Sequence, residues 1–99
     1  MRRGTTPKHT FTLPFDATAC QKIRVIYAQG GIVKIVKTDK DIEKSGNTIV
    51  VKLSQADTFR LNCKLKTEIQ VRVLTGSDDV LVSEIHTVNT ERCLDNEVL

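Results

Sequence analysis

The chain has 99 residues, which is the size of one domain and leaves no room for a second hydrophobic core. Hydrophobic residues make up 39% and charged residues 27% of the sequence, as in ordinary soluble globular proteins. The net charge of +3 is too small for a dedicated nucleic-acid-binding protein, and no apolar run reaches the roughly 18–20 residues of a membrane helix.

The chain begins with a basic N-terminal arm, residues 1–8, that opens with Met-Arg-Arg. Threonines and Pro7 follow at once, so no apolar stretch of signal-peptide length is present. We therefore expect that the protein is not secreted by a signal peptide and does not associate with a membrane.

The first strand is predicted in HTFTLPF (9–15), where Phe11, Leu13 and Phe15 alternate with other residues and share one buried face. Pro14 has no N–H to donate to a neighbouring strand. This strand should therefore lie at a sheet edge or end near Pro14.

Two further strands are predicted around a pair of glycines, because KIRVIYA (22–28) and IVKIVKT (32–38) flank Gly30 and Gly31. A phosphate-binding loop would need a helix immediately after its glycines. Here a β-branched segment of period two follows instead. Glycine readily supplies the positive φ that tight hairpin turns require, so the segment predicts a β-hairpin.

A polar turn region, DKDIEKSGN (39–47), separates this hairpin from the next predicted strand, TIVVKLS (48–54). Ser54 is followed three residues later by Asp57, which predicts one capped turn of helix, although Glu or Gln is more usual in a capping box. Phe59 should then return to the core.

The last hairpin has the clearest pattern: TEIQVRVLT (67–75) and VLVSEIHTV (80–88) flank the turn GSDD (76–79). The tail, residues 91–99, has no period and could be a terminal arm, a short helix or disordered. Six or seven short strands without intervening helices predict one all-β domain, either a sandwich or a small barrel. The predicted core consists of Ile23, Val25, Ile49, Val51, Leu53, Phe59, Leu61, Ile69, Val71 and Val73.

No recognisable catalytic or metal-binding motif is present. His9, His86, Cys20, Cys63 and Cys93 could meet only through long-range folding, and no CxxC pair occurs. The odd number of cysteines indicates free thiols in a reducing compartment. A Cys–His nucleophilic pair is left open, since its members meet only in space. We predict no catalytic, cofactor-binding or metal-binding residues, no cofactor and no enzymatic activity.

The lysines support an alternative function. A solvated sheet face accounts for their pattern, because they alternate with apolar residues or lie in turns. A groove for single-stranded nucleic acid would also need aromatic side chains for base stacking, and Tyr27 is the one candidate outside the obvious core. The alternative is therefore a small nucleic-acid-binding β-barrel. The lysines concerned are Lys34, Lys37, Lys40, Lys44, Lys52, Lys64 and Lys66.

Four segments resemble a known family. They are Arg3-Gly4-Thr5-Thr6-Pro7 before HTFTLPFD, then IRVIYAQGG, NTIVVKLSQADTFRL and EIQVRVLTGSDDVLVSEI. Together, over residues 3–90, they are similar to small tail-associated structural proteins of prophages from Gram-positive bacteria. They also resemble the immunoglobulin-like N-terminal domain of baseplate upper proteins.

The resemblance implies an immunoglobulin-like antiparallel β-sandwich of six or seven strands, acting as a tail or baseplate component. Its partners would be other phage structural proteins, with nucleic acid an unexpected partner. The protein would be made in the bacterial host cytoplasm and then reside in the virion. Baseplate upper proteins continue into a long region that carries receptor-binding proteins, whereas this sequence ends at Leu99. The resemblance thus implies a docking domain without that region, or an accessory phage protein with a different partner.

The two ends of the chain suggest a homo-oligomer. The N-terminal arm is basic, and the tail carries Asp95 and Glu97 among the apolar residues Leu94, Val98 and Leu99. A head-to-tail contact between neighbouring copies would then be electrostatically favourable. The alternative is that both ends are frayed, as chain termini often are.

Overall fold

The computed structural model describes residues 1–99 and contains eight short strands in two antiparallel sheets, with a single α-helix. No helix is long and apolar enough to cross a membrane. The elements are β1 (Lys8–Thr12), β2 (Lys22–Gln29), β3 (Ile32–Lys37), β4 (Ile42–Ser45), β5 (Thr48–Lys52), α1 (Gln55–Phe59), β6 (Thr67–Leu74), β7 (Val80–Val82) and β8 (His86–Val88).

The strand order is that of an immunoglobulin-like sandwich, which confirms the predicted fold class. One sheet has the order β1-β5-β4, and the other has the order β3-β2-β6-β7, with β8 also paired to β6. In the lettering of immunoglobulin domains these correspond to B-E-D and C′-C-F-G. The protein has eight strands where six or seven were expected. Residues 1–7 do not form strand A of that scheme, since the bridge they make, Arg2 to Glu91, is an isolated one.

The core lies between the sheets and is built from the inward-facing residues of alternating strands. Nine of the ten predicted core residues are buried; the exception is Phe59, which is only partly buried. Its ring packs beside Gly4 and beneath the guanidinium of Arg3, whose Cζ lies 5.4 Å from the ring centroid. Phe59 therefore fixes the N-terminal arm rather than filling the centre of the sandwich.

The glycine pair forms the predicted hairpin turn. Gly30 and Gly31 have φ angles of 56° and 78°, and they join β2 directly to β3. Both positive values fit a two-residue hairpin loop that glycine adopts at little steric cost. The segment after the glycines is a strand, whereas a phosphate-binding loop would be followed by a helix.

Two strand predictions need correction. The region 39–47 is not only a turn, because it contains β4, in which Ile42 is the one buried residue and no period is visible. The return strand 80–88 is split at Ser83, whose hydroxyl accepts a hydrogen bond from the N–H of Val71 at 2.9 Å. The Ser83 carbonyl is taken by the side chain of Gln70 instead of the ladder. The chain loops out and rejoins β6 as β8.

The predicted turn of helix is confirmed as α1, which begins after Ser54. The Ser54 hydroxyl accepts from the N–H of Asp57, and the Asp57 carboxylate accepts from the N–H of Ser54, which forms a reciprocal capping box. A buried amide, Gln29, then ties the segment after α1 to the hairpin, with its Oε1 accepting from the N–H of Asn62 at 2.8 Å.

The N-terminal arm and the tail contact each other within the chain. The N–H of Arg3 donates to the Glu91 carbonyl at 2.9 Å, and the N–H of Glu91 donates to the Met1 carbonyl at 2.7 Å. The side chains of Arg2 and Glu91 form an exposed ion pair at 3.1 Å. The arm and the tail are thus joined within one copy by backbone hydrogen bonds and one ion pair. The homo-oligomer stays a prediction.

Candidate interaction surface

The sandwich has an open side, which we define as the side between the edge strands β1 and β7. Two adjoining cavities of about 290 and 310 Å³ lie there and share Leu13, Val71 and Ser83 in their walls. Strand A would cover part of this side in an immunoglobulin constant-type domain, where it belongs to the same sheet as strand B. Because residues 1–7 do not form that strand, the edge of the core is accessible here as an apolar groove.

Consecutive exposed apolar side chains lie along β7, and Leu81 and Val82 line the groove. Val80, Leu81 and Val82 are 57%, 44% and 52% exposed, and Ile85 in the loop after β7 is 54% exposed. In an ordinary edge strand, alternate residues face the core and only the others face solvent. Here Leu81 faces inward but has no strand beyond it to cover it. Exposed apolar residues contiguous along an edge strand are typical of association sites.

The backbone of β7 also has unpaired hydrogen-bonding groups. The N–H of Ser83 donates to the Val71 carbonyl at 2.8 Å, and the N–H of Thr75 donates to the Asp79 carbonyl at 2.8 Å. In an antiparallel pair, hydrogen-bonded residues alternate with non-bonded ones. Leu81 therefore bonds to β6, whereas the N–H and C=O groups of Val80 and Val82 point away from the sheet.

Strand β1 also has unpaired backbone hydrogen-bonding groups along its outer edge. The N–H of Leu13 donates to the Asn47 carbonyl at 2.7 Å, and the N–H of Leu53 donates to the Pro7 carbonyl at 3.0 Å. By the same alternation, the backbone groups of Thr10 and Thr12 face outward. The groove is therefore flanked by two free strand edges, one from each sheet.

Carboxylates lie at both ends of β7. Asp78 and Asp79 precede the strand, and Glu84 follows it. None of the three forms an ion pair. Asp78 accepts a hydrogen bond from the side chain of Gln21 at 2.6 Å, which holds the turn before the strand. An apolar edge with an acidic group at each end is the result.

The opposite side of the sandwich, between β3 and β4, is here called the closed side. Lys37 at the end of β3 pairs with Asp57 of α1 at 2.7 Å, and Lys44 of β4 pairs with Asp39 at 3.0 Å. Asp39 also accepts from the N–H of Ile23 at 2.8 Å. A register shift in β3 and its two lysines further discourage the addition of another strand.

A cationic row crosses the outer face of the five-stranded sheet. Arg24 and Arg72 are directly opposite each other on β2 and β6, and Lys22 precedes Arg24 on the same face. None of the three is in an ion pair. Like charges opposite each other destabilise a sheet, so this row is available to an anionic group outside the chain.

The histidines and cysteines are the side chains from which the sequence could have assembled a metal site or a nucleophile. No group of three or more His, Cys, Asp or Glu side chains is arranged to hold a metal ion. The three cysteines, Cys20, Cys63 and Cys93, are all free. Burial raises the pKa of the Cys20 thiol, which keeps this sulfur in its poorly nucleophilic protonated form.

Tyr27 lies in the hydrophobic core. It is fully buried, and its hydroxyl lies 2.7 Å from Nδ1 of His9. Burial, followed by the nearby Asp57 charge, raises the pKa of Tyr27, and burial lowers the pKa of His9. The proposal that Tyr27 could stack on a nucleic-acid base is therefore wrong, because its ring is inside the core.

The role of β7 as an exposed apolar surface was not predicted from the sequence. A signal was present, since VLV in a return strand puts apolar residues on both faces at once. Only one of those faces can pack against the core of a two-layer sandwich. Searches against protein-family models and against curated protein sequences found no match to this chain.

Proposed function

We propose that this protein is a non-enzymatic structural and interaction module of a bacteriophage particle, a tail or baseplate component that docks onto other virion proteins. The observation that carries the docking role is the open side, where a free apolar edge strand lies beside a groove into the core. The phage assignment rests on the resemblance of residues 3–90 to tail-associated proteins.

The side chains that line the groove favour binding over catalysis. The groove is lined mainly by apolar side chains, among them Leu13, Phe15, Val73 and Leu81. A reaction site would need an activated nucleophile or an acid–base pair beside such a cavity. The hydroxyl of Tyr27, which lies 2.7 Å from Nδ1 of His9, belongs to a ring that is fully buried in the core and does not line the groove.

Particles induced from the strain that encodes the protein test the proposal. Intact particles purified on a density gradient should contain this chain in a stoichiometric amount, detected by quantitative mass spectrometry. A strain carrying Val82→Asp should yield folded protein that is depleted from particles at least tenfold. Val33→Asp is the matched control, because Val33 is a β-branched residue on the other edge of the same sheet with a similar exposure of 56%. Particles that lack the wild-type chain would refute the phage role.

A second candidate function is binding to nucleic acid, and the cationic row of Lys22, Arg24 and Arg72 is the observation that favours it. Anisotropy titrations with single- and double-stranded probes at low salt separate the two candidates. Phosphate contacts make such binding steeply dependent on salt. Binding that weakens with salt and is lost in Arg72→Glu would support this alternative, whereas no binding at tens of micromolar protein would end it.

A further inference from the structure

We propose that the open side binds its partner by strand addition: an extended segment of another protein pairs with β7, with apolar residues at its centre and Lys or Arg at its ends. The inference deepens the proposed docking function and rests on it. It specifies the backbone groups, the pocket and the charges that would select the partner.

The backbone of β7 provides the first argument. Four groups, the N–H and C=O of Val80 and of Val82, face the open edge. An incoming strand can pair with all four and extend the five-stranded sheet by one antiparallel or parallel strand. In recognition of this kind, the main chain contributes affinity and the pockets for alternate side chains contribute specificity.

The groove provides the pocket. A strand beside β7 would direct alternate side chains inward, over Leu81 and toward the exposed edge of the core at Leu13 and Phe15. The other side chains would lie beside Val80 and Val82, which are more than half exposed. The central residues of the partner must therefore be apolar on both faces, as those of β7 itself are.

The charges at the ends of β7 identify the kind of partner. Asp78 and Asp79 lie before the strand and Glu84 lies after it, all without an ion-pair partner. Lys or Arg at the ends of an added strand would meet these carboxylates and be favoured by electrostatic complementarity.

The same charges disfavour a second copy of this chain. If two β7 strands paired about a two-fold axis with Val80 opposite Val82, Asp78 of each copy would lie opposite Glu84 of the other. Opposed like charges are destabilising. The acidic tail, residues 91–99, would meet the same repulsion if it were inserted from a neighbour.

A synthetic peptide tests the inference directly. The probe is fluorescein-labelled Lys-Thr-Val-Ile-Val-Thr-Lys-amide, titrated with the full chain by fluorescence anisotropy. We expect saturable binding, with amide chemical-shift changes in ¹⁵N spectra at Val80 and Val82. A peptide with Glu at both ends should bind at least tenfold more weakly, and so should a peptide with Pro at its centre, which cannot donate to the edge.

Protein variants locate the contact. Val82→Pro removes an N–H that faces the open edge and should weaken peptide binding at least tenfold, whereas Val33→Asp should bind as the wild type does. If Val82→Pro fails to fold, Val82→Asp takes its place. Equal binding by wild type and both Val82 variants would overturn the proposal, as would the absence of binding at millimolar peptide.

Three further outcomes are informative. If light scattering shows a dimer that the peptide dissociates, the β7 edge binds a second copy of this chain and the inference is overturned. If Val82→Asp is depleted from particles but the peptide does not bind, the docking function stands and strand addition is wrong. If the peptide binds but the chain is absent from particles, strand addition stands and the phage role is wrong.

Discussion

On the closed side of the sandwich, lysines of β3 and β4 are held by Asp57 and Asp39, whereas on the open side β7 presents valine and leucine side chains without a charge among them. Both sides are formed by edge strands of the same domain. Edge strands invite pairing with other chains unless charges, bulges or short lengths prevent it.

The difference shows that composition alone does not make an edge available. β3 contains four apolar residues in six, yet a register shift and Lys34 and Lys37 interrupt them. β7 has only three residues, but all are apolar and two have backbone groups directed outward. The short length of β7 limits uncontrolled association, and the carboxylates at its ends limit self-pairing.

The largest expected effect tests whether both sides enclose one core. Ile69 lies on β6, which pairs with β2, β7 and β8, and it is 3% exposed. Ile69→Ala should lower the free energy of unfolding by about 2–5 kcal/mol. Urea denaturation measures this loss, with Ile32→Ala, at an exposed position of β3, as the control expected within about 0.5 kcal/mol. Equal effects would contradict the assigned faces.

The next effect sharpens the assignment of the open edge. Leu81→Pro removes an N–H that bonds to β6 and leaves its acceptor unpaired, which should cost about 1–3 kcal/mol. Val82→Pro removes an N–H that faces outward, and edge positions of this kind tolerate proline, so about 1 kcal/mol or less is expected. Thermal or urea unfolding of the two variants shows which residue of β7, Leu81 or Val82, is hydrogen-bonded to β6. The reverse order would mean that Val82 bonds to β6 and that β7 offers a different set of groups.

A smaller effect concerns the ion pair of the closed side. Burial raises the pKa of Asp57, but the hydrogen bonds from Lys37 and Ser54 outweigh it, so the pKa is lowered overall. Asp57→Asn should cost about 1–2 kcal/mol at pH 7, because it removes the charge opposite a largely buried lysine and weakens the cap.

The pH dependence of the same variant has a defined sign. A carboxyl whose pKa is lower in the folded state stabilises the protein above its unfolded pKa of about 3.9, and this contribution is lost as the pH falls further. The difference between wild type and Asp57→Asn should therefore shrink below about pH 4. A difference that is constant from pH 7 to pH 2.5 would assign the cost to the cap alone.

The smallest effect comes from the partly exposed pair of Lys44 and Asp39. Lys44→Ala should cost about 0.5 kcal/mol, in the range of surface ion pairs. The cost should largely vanish in 1 M NaCl, where the screening length is about 3 Å. Lys64→Ala, at an exposed lysine without an ion pair, is the control for the loss of a side chain. A cost at Lys44 that is independent of salt would show that packing, not charge, closes this side.

Strands with one buried face were predictable from local pattern. The alternation of Ile69, Val71 and Val73 set both the existence and the inward face of β6. The positive φ values of Gly30 and Gly31 and the capping box of α1 followed from residue chemistry over two to four positions. In each case the structure is determined by interactions between residues close in sequence, so it can be predicted from the local sequence pattern.

Features that depend on distant residues were not predictable in the same way. β4 has one buried residue, Ile42, and forms because β5 presents a partner edge. The break at Ser83 depends on the side chain of Gln70, which reaches across from β6. Phe59 was expected in the core but covers the N-terminal arm, because Gly4 and Arg3 are brought to it by the fold.

The sequence by itself determined an all-β domain, its hairpins and the buried face of most strands, because period-two alternation and turn chemistry act between neighbouring residues. Only the tertiary structure decided that one side of the sandwich is closed by ion pairs and the other left open. That outcome depends on which strands become edges and on the absence of a strand among residues 1–7. Both depend on pairing between distant residues. The surface on which the proposed function rests is therefore a product of topology.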